Sequence, residues 1–212
     1  MFPYSYIAIE GNIGTGKTTL CNMLAEESGC RLVLEEFADN PFLENFYKNP
    51  ERFAFTVELF FMTERHKQLQ ANLTQRSLFQ EMVVADYFFL KTLLFAKNNL
   101  TAEEYRLFQR LFDVLNSTFP HPDILVYLHR SPENLLANIK QRGRTCEQEI
   151  TVDYLQQIQN AYFEYFKGIT DLPVVIIDVE GMEFWNKREE YDLIKYCLQK
   201  KYPPGVHRVN LR

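Results

Sequence analysis

The segment from Gly11 to Thr18 constrains this chain more than any other stretch. It reads G-N-I-G-T-G-K-T and matches the pattern G-x-x-x-x-G-K-[ST]. It follows the apolar run Tyr6–Glu10, which predicts a buried strand, and it opens a helical pattern from Thr18 to Glu27. A glycine-rich turn can simply join a strand to a helix, but packing does not explain a lysine and a threonine at these two positions. The segment therefore predicts a loop that binds phosphate groups.

The chemistry of such a loop assigns roles to its residues. Backbone N–H groups and the helix N-terminus attract negative charge, and Lys17 supplies a full positive charge toward the β- and γ-phosphates. The hydroxyl of Thr18 is placed to ligate Mg²⁺. We therefore expect ATP and Mg²⁺ as cofactors. The expected nucleotide-binding residues are Gly11, Asn12, Ile13, Gly14, Thr15, Gly16, Lys17, Thr18 and Thr19.

Strand and helix patterns alternate along the chain. Buried strands are predicted at Tyr6–Glu10, Arg31–Leu34, Ser77–Gln80, Ile124–His129 and Val174–Asp178. Helices are predicted at Thr18–Glu27, Phe53–Leu73, Val83–Lys97, Thr101–Asn116, from Pro132 onward, and Thr151–Phe166. This alternation is typical of an α/β fold: a five-stranded parallel sheet flanked by helices, with its sites at the carboxyl ends of the strands.

Length and composition bound the organisation and the partners. The 212 residues favour one domain over 1–202, with a loose tail over 203–212 that begins at Pro203-Pro204-Gly205. With 46% hydrophobic and 24% charged residues, disordered and coiled-coil classes are excluded. A net charge of −5 provides no basic field, so we expect neither polymeric nucleic acid nor a membrane as a partner.

Cysteine spacing and the apolar runs favour a cytoplasmic protein. The four cysteines form no CxxC pair, so neither a zinc site nor a disulfide framework is expected. The start of the chain lacks the pattern of a signal peptide. The longest apolar stretch, Val83–Ala96, is interrupted by Asp86 and Lys91, and no transmembrane helix is predicted.

Other classes of phosphate-loop protein fit less well. A GTPase needs an N-K-x-D motif, which is absent, and an ATPase motor needs an apolar strand that ends in Asp, which we do not find. The strand Ile124–Leu128 is followed by His129-Arg130. The late basic segment Lys140–Arg144 fits a small-molecule kinase better.

From Tyr6 to about Asp178 the sequence resembles the deoxynucleoside kinase family, and in particular its bacterial deoxyadenosine/deoxyguanosine kinase branch. The matching pieces are the phosphate loop, Glu35 with Asp39-Asn40-Pro41-Phe42-Leu43, Phe46-Tyr47 before Pro50, Asp123–Leu128, and Arg142-Gly143-Arg144 with Glu147. The resemblance implies the phosphate-loop kinase fold with a helical lid and a nucleoside as the small-molecule substrate.

The resemblance also implies roles for individual residues. Glu35 matches the carboxylate that accepts the proton of the nucleoside 5′-hydroxyl, although it can also be a solvated loop acid. Arg142 and Arg144 match lid arginines that close on the phosphates, although they can also be a basic cluster at a helix C-terminus. Tyr47 and Glu147 match residues that contact the sugar 3′-hydroxyl, although each can equally be a surface or core residue.

The first departure from the family concerns its Asp/Glu-Arg-Ser/Thr motif at the end of the third strand. Aligning Ser77-Leu78-Phe79 with that strand puts Gln80-Glu81-Met82 at the motif, whereas an alternative register uses Gln75-Arg76-Ser77. In the first register the metal-binding acid and the arginine are both lost, which places catalysis in doubt. Glu81 is then the substitute that faces the substrate or the metal.

The second departure lies on the helix after Phe53. The family has a base-pairing Gln where this chain has Glu58, and Glu58, Phe61, Met62 and Arg65 share one helix face. We expect the first three to bind substrate, although such a stripe can also be solvated. An ionised carboxylate accepts only, so it favours guanine's N1–H and 2-amino edge, or a pterin, over adenine. Arg65 can oppose this by pairing with Glu58.

The sequence thus predicts ATP-dependent phosphorylation of the 5′-hydroxyl of a deoxynucleoside, with purines preferred. The alternative is a catalytically weakened nucleotide-binding module with a regulatory or scaffolding role, motivated by Gln80-Glu81; another small-molecule phosphotransferase is a third possibility. The aromatic-rich helices Val83–Lys97 and Tyr105–Leu115 predict a homodimer.

Overall fold

A computed structural model describes residues 2–35, 40–73, 82–116 and 119–211. The described strands form one parallel sheet in the order β2-β3-β1-β4-β5-β6. They are β1 Tyr6–Gly11, β2 Arg31–Val33, β3 Val83–Ala85, β4 Ile124–His129, β5 Pro173–Asp178 and β6 Gly205–Asn210. The predicted α/β fold with a parallel sheet is confirmed, but the described sheet has six strands and not five.

Helices connect the strands. They are α1 Lys17–Ser28, α2 Leu43–Lys48, α3 Pro50–Leu73, α4 Lys91–Asn99, α5 Ala102–Asn116, α6 Pro132–Arg142, α7 Val152–Lys167 and α8 Arg188–Leu198, with a short 3₁₀ turn at Thr145–Glu147. Local signals explain several ends. Thr101 and Glu104 bond reciprocally ahead of α5, Thr151 caps α7, and α6 begins at Pro132 and ends before Gly143.

The third strand is where the sequence interpretation fails. The predicted strand Ser77–Gln80 lies outside the described residues. The described strand between β2 and β1 is β3, Val83–Ala85, so the predicted helix Val83–Lys97 was wrong at its start: α4 begins at Lys91. Three apolar residues followed by an aromatic run fit a helix pattern as well as a buried strand, because a parallel sheet buries both faces.

Two other elements were missed near the end of the chain. Helix α8 was not predicted, and the expected loose tail contains β6, which pairs with β5 from Gly205 to Asn210. The alternating burial along β6 places Val209 against the hydrophobic core and leaves Val206 exposed. The expectation of a loose extension over 203–212 was therefore wrong at residues 205–210.

The sheet core is almost entirely apolar. Its central strands bury Ile7, Ile9, Val126 and Ile177 completely, and α1 and α8 cover that layer. On the same face, Phe184 closes the layer near the start of α1. This rigid sheet fixes the positions of the loops that follow β1, β2, β3 and β4.

The alternation of β6 gives a matched test of the sixth strand. Val209→Asp should lower the free energy of unfolding by about 1–3 kcal/mol, since it puts a carboxylate against the core. Val206→Asp should change it by less than about 0.5 kcal/mol, because that side chain already faces water. Urea unfolding of both variants measures the difference. Equal effects would contradict the pairing of β6.

Candidate active site

The phosphate loop joins β1 to α1 in a conformation that requires glycine. Gly14 has φ of 84° and Gly16 has φ of 92°, both in the left-handed region. A Cβ atom on Gly16 would lie 2.9 Å from the ring of Phe184. The loop is therefore fixed by backbone geometry and by the packing of Phe184, and any side chain at position 16 is strained.

Polar side chains hold the loop to its neighbours. Asn12 donates from Nδ2 to the Leu155 carbonyl at 2.7 Å, and Thr15 donates from Oγ1 to the Asn12 carbonyl at 2.9 Å. Asn138, on α6, donates to the Gly14 carbonyl at 2.9 Å. Through these bonds the loop is attached to both α6 and α7.

Among the predicted nucleotide-binding residues, Ile13, Gly14, Lys17 and Thr18 line the cleft, whereas Asn12 and Thr15 are buried supports and Thr19 faces solvent.

Lys17 lies inside the curve of the loop. Its Nζ donates to the carbonyls of Gly11 at 2.8 Å and Asn12 at 2.9 Å. Burial and the nearby ammonium of Lys91 lower the pKa of Lys17 to about 8. Anionic phosphates beside this group favour its charged form, so its environment suits phosphate binding.

Asp86, which sequence reasoning did not select, stands at the end of β3. Its Oδ2 accepts a hydrogen bond from the Thr18 hydroxyl at 2.6 Å, and its Oδ1 accepts one from the Glu35 backbone N–H at 2.7 Å. Burial and the nearby Glu35 carboxylate raise its pKa. The acid after the third strand is therefore Asp86, and the register that put Gln80 and Glu81 there was wrong; both residues lie outside the described part of the chain.

The missed signal was present in the sequence. Val83-Val84-Ala85-Asp86 is a short apolar strand that ends in Asp, the feature that the sequence analysis sought and did not find. The alternative register at Gln75-Arg76-Ser77 also lies outside the described residues. Asp86 restores the acid of the motif, and Tyr87 follows it where the family motif has arginine. One of the two losses that motivated a weakened nucleotide-binding module is therefore removed.

Glu35, just after β2, is clamped between two cations. Arg65 on α3 donates to its Oε1 from Nε at 2.8 Å and from Nη2 at 2.5 Å, and Lys91 on α4 donates to its Oε2 at 2.6 Å. Burial acts to raise its pKa, but the ion pairs with Lys91 and Arg65 outweigh burial and hold the pKa well below its ordinary value. Glu35 therefore stays ionised, and the reading of it as a solvated loop acid does not fit.

Lys91 is the second residue that sequence reasoning missed. It is the first residue of α4, it lines the cleft, and its side chain is only 6% exposed. A cation at a helix N-terminus opposes the helix dipole, and burial opposes its charge. The nearby Glu35 carboxylate offsets both costs. Because the helix was predicted to begin at Val83, Lys91 stood in its middle and this signal was not visible in the sequence.

The α3 face divides between the cleft and the core. Glu58, Phe61 and Arg65 line the cleft, but Met62 is buried in the hydrophobic cluster that contains Val33 and Tyr87. Met62 was expected to bind substrate, but its direction on α3 turns it toward the sheet. Arg65 does not hydrogen-bond Glu58; it bonds Glu35 and the Thr92 hydroxyl.

The lid segment follows α6. Arg142 and Arg144 both pair with Glu147, and all three line the cleft. Tyr47, from α2, lines the same cleft with its ring against that of Tyr154. The predicted sugar-contacting and lid residues therefore line the same cleft as Glu35.

The cleft can accept a small molecule together with phosphates. It opens partly to solvent and is lined by the phosphate loop, α2, α3, α4 and the lid segment, so polar and aromatic side chains converge on one space. The oxygens of Thr18 and Asp86 are hard ligands of the kind that Mg²⁺ prefers. No group of three or more His, Cys, Asp or Glu that could hold a metal is found among the described residues. A metal here would depend on phosphate oxygens for further ligands.

No helix within the described ranges has the length and apolar character to cross a membrane.

Comparisons with known proteins agree with this geometry. The family model described as "Deoxynucleoside kinase" matches residues 7–200. A deoxyguanosine kinase of Bacillus subtilis is 32% identical over 193 residues, which cover 89% of this chain and 93% of that protein. A deoxyadenosine/deoxycytidine kinase of the same organism is 32% identical over 200 residues, covering 90% and 89%.

Solved structures point the same way. The structure of deoxyadenosine kinase from M. mycoides with bound dATP superposes with a TM-score of 0.75 at 25% identity, covering 92% of this chain and 99% of that one. Sequence relatives and solved structures therefore match nearly the same extent of the chain as the family model. The chain belongs to the deoxynucleoside kinase family.

Proposed function

We propose that this protein transfers the γ-phosphoryl group of ATP to the 5′-hydroxyl of a deoxynucleoside, with a purine as the preferred base. The observation that carries this proposal is the convergence of Lys17, Thr18, Asp86 and Glu35 at one edge of the sheet. A phosphate loop alone supports nucleotide binding. An ionised carboxylate beside it supplies what transfer to an alcohol additionally needs.

Glu35 is the residue that we assign to the acceptor hydroxyl. Its low pKa makes it a weak base in the ground state, so it does not remove the proton before attack. In a loose phosphoryl-transfer transition state the hydroxyl becomes acidic only as the new bond forms, and an acceptor fixed in position is then sufficient. Glu35 orients the hydroxyl and receives its proton late.

Lys17, Lys91 and the lid arginines supply positive charge. We assign Lys17 to the β- and γ-phosphates and Arg142 and Arg144 to the charge that develops on the transferred group. We assign to Lys91, whose Nζ lies 2.6 Å from Glu35, the place of the arginine in the family motif. In this chain the acid of that motif is Asp86, and the cation comes from the next helix.

Mg²⁺ is proposed as the metal, with Thr18 and Asp86 as its protein contacts, directly or through water. When bound, it would neutralise charge on the β- and γ-phosphates. The hydrogen bond between Thr18 and Asp86 keeps both oxygens close together, which supports this assignment. The raised pKa of Asp86 agrees with an acid that a cation would return to its ionised form.

The nucleoside is proposed to lie between α2, α3 and the lid. Tyr47 and Glu147 are assigned to the sugar 3′-hydroxyl, and Phe61 and Glu58 to the base. The cation of Arg65 packs 5.0 Å from the centre of the Phe61 ring, which fixes that ring as a wall of the cleft. Glu81, expected at the substrate, carries no assignment because it lies outside the described residues.

A cytoplasmic homodimer is also proposed. All four cysteines are free thiols, which suits a reducing compartment.

Helix α5 buries Phe108 and Phe112, and beside them it exposes Leu107, Leu111 and Val114 at helical spacing. Because an exposed apolar stripe is typical of an association surface, we assign this stripe to the contact with a second copy. Helix α4, also expected at the contact, is mostly buried.

The reaction is tested by incubating the protein with ATP and Mg²⁺ across a panel of deoxynucleosides and ribonucleosides. Purine deoxynucleosides should yield 5′-monophosphates. Glu35→Gln should lower kcat by roughly 10²-fold or more with little change in nucleoside affinity, because general-base catalysis is typically worth that much. Nucleotide binding without transfer to any nucleoside would contradict the proposed reaction.

Lys91 has a separate test. Lys91→Met should lower kcat by roughly 10²-fold or more, since cation clamps contribute at least that much in phosphoryl transfer. The ion pair with Lys91 holds the pKa of Glu35 down, so removing it raises that pKa, and activity should be lost as the pH falls through the new value. Lys97→Met, on the exposed side of the same helix, is the control.

Lys91→Arg should keep part of the activity. A kcat of Lys91→Met equal to that of Lys97→Met would contradict the assignment.

The association surface is tested by light scattering. The unmodified protein should have the mass of a dimer, and Leu111→Glu should shift it toward the monomer because a charge enters an apolar contact. Gln109→Glu, exposed on another side of α5, should leave the mass unchanged. A monomeric unmodified protein, or a dimer that tolerates Leu111→Glu, would exclude this surface.

A further inference from the structure

The two oxygens of the Glu58 carboxyl group have different surroundings. Oε1 accepts a hydrogen bond of 2.6 Å from Nδ2 of Asn99, the last residue of α4. Oε2 is buried and has no hydrogen-bond partner among the described residues. The side chain itself lines the cleft, and the residue is 2% exposed. An unpartnered oxygen in a buried site is costly, so a partner supplied by a ligand would stabilise it.

This asymmetry fixes where a proton can reside. An amide N–H donates to Oε1, and a carbonyl oxygen accepts a hydrogen bond more strongly than a hydroxyl oxygen does. A proton on the carboxyl group is therefore favoured on Oε2. The neutral group therefore presents one donor, Oε2–H, beside one acceptor, Oε1. The ionised group presents two acceptors. Oε1 keeps a second lone pair for a ligand in both forms.

These two patterns match different purine edges. Adenine offers an acceptor at N1 beside a donor at its 6-amino group, which pairs with the neutral carboxyl group. Guanine offers two donors, N1–H and the 2-amino group, which pair with the ionised group and gain a charge-assisted bidentate contact. The wrong pairing puts two acceptors or two donors face to face and leaves both unsatisfied.

We propose that the proton on Oε2 of Glu58 selects the purine: the protonated protein binds deoxyadenosine and the ionised protein binds deoxyguanosine. Asn99 is the positioning residue, since its bond to Oε1 directs the proton to the other oxygen. The inference rests on the proposed function, because it takes the base to lie against Glu58.

The surroundings of Glu58 put its titration in the relevant range. Burial raises its pKa to about 7, against the opposing effects of Arg65 and the hydrogen bond from Asn99. The charge of Arg65 is already shared with Glu35, which limits its effect on Glu58. The titratable and charged groups that face Glu58 or line the same cleft are Lys17, Glu35, Tyr47, Arg65, Asp86, Lys91, Arg142, Arg144, Glu147 and Tyr154.

The test measures the affinities of deoxyadenosine and deoxyguanosine by calorimetry across neutral pH. If each nucleoside binds one protonation form, the ratio of its two affinities changes by up to about tenfold per pH unit, because each affinity is scaled by the population of its form. Deoxyguanosine should gain as the pH rises. Taking the ratio cancels pH effects that act on both nucleosides, including those of Lys17 and Glu35.

Proton exchange gives a second readout. Above about pH 7 deoxyadenosine should take up a proton on binding, and below it deoxyguanosine should release one, which is measured from the dependence of the binding heat on the buffer. Glu58→Gln is the matched control, because its amide has the shape and the donor–acceptor pair of the neutral acid and does not titrate. It should favour deoxyadenosine at every pH and exchange no proton.

A pH-independent affinity ratio in the unmodified protein, the same slope in Glu58→Gln, or failure of both nucleosides to bind would overturn the inference. Binding with the expected slope but without phosphate transfer would support it and would contradict the proposed reaction instead.

Discussion

The cleft depends on the burial of one carboxylate, Glu35, between two cations. Taking three charges out of water is costly, and only close, well-directed contacts offset that cost. Arg65 and Lys91 provide them at 2.5–2.8 Å. Each cation ties its helix to Glu35 through an ion pair, so the end of β2, helix α3 and helix α4 are held together by the groups that also bear the chemistry.

The same cluster joins two parts of the cleft: the phosphate loop, and the end of β2 where Glu35 lies. Asp86 accepts a hydrogen bond from the backbone of Glu35 and another from Thr18, so one carboxylate joins the acceptor side to the phosphate loop. Glu10, on β1, supports this arrangement. Its carboxylate accepts hydrogen bonds from the Phe88 backbone N–H at 2.7 Å and from the Tyr162 hydroxyl at 2.8 Å. The residues that follow β3, Asp86 to Phe88, are thereby fixed between the phosphate loop and Glu35.

The sequence predicts those parts of the site that follow a clear strand pattern and misses those that follow an ambiguous one. The phosphate loop and Glu35 follow strands whose apolar runs are clear, so their place at the sheet edge was predictable. Asp86 and Lys91 were not recovered, because the three residues of β3 fit a helix equally well and the choice of register displaced the whole motif. Met62 illustrates a finer limit: helical spacing groups it with Glu58, but the direction of α3 decides which neighbour faces the core.

The hydrogen bond that joins the phosphate loop to α6 also positions the lid arginines. Since Asn138 holds the Gly14 carbonyl and Gly14 lies against Ile139, helix α6 is anchored one turn before Arg142. Gly143 ends the helix with φ of 73° and open space around its Cα, and its N–H donates to the Ile139 carbonyl at 3.2 Å. Helix α6 therefore sets the distance of Arg142 from the phosphate loop. Glu147, which pairs with both arginines, sets the position of Arg144 relative to Arg142 across the turn at Gly143.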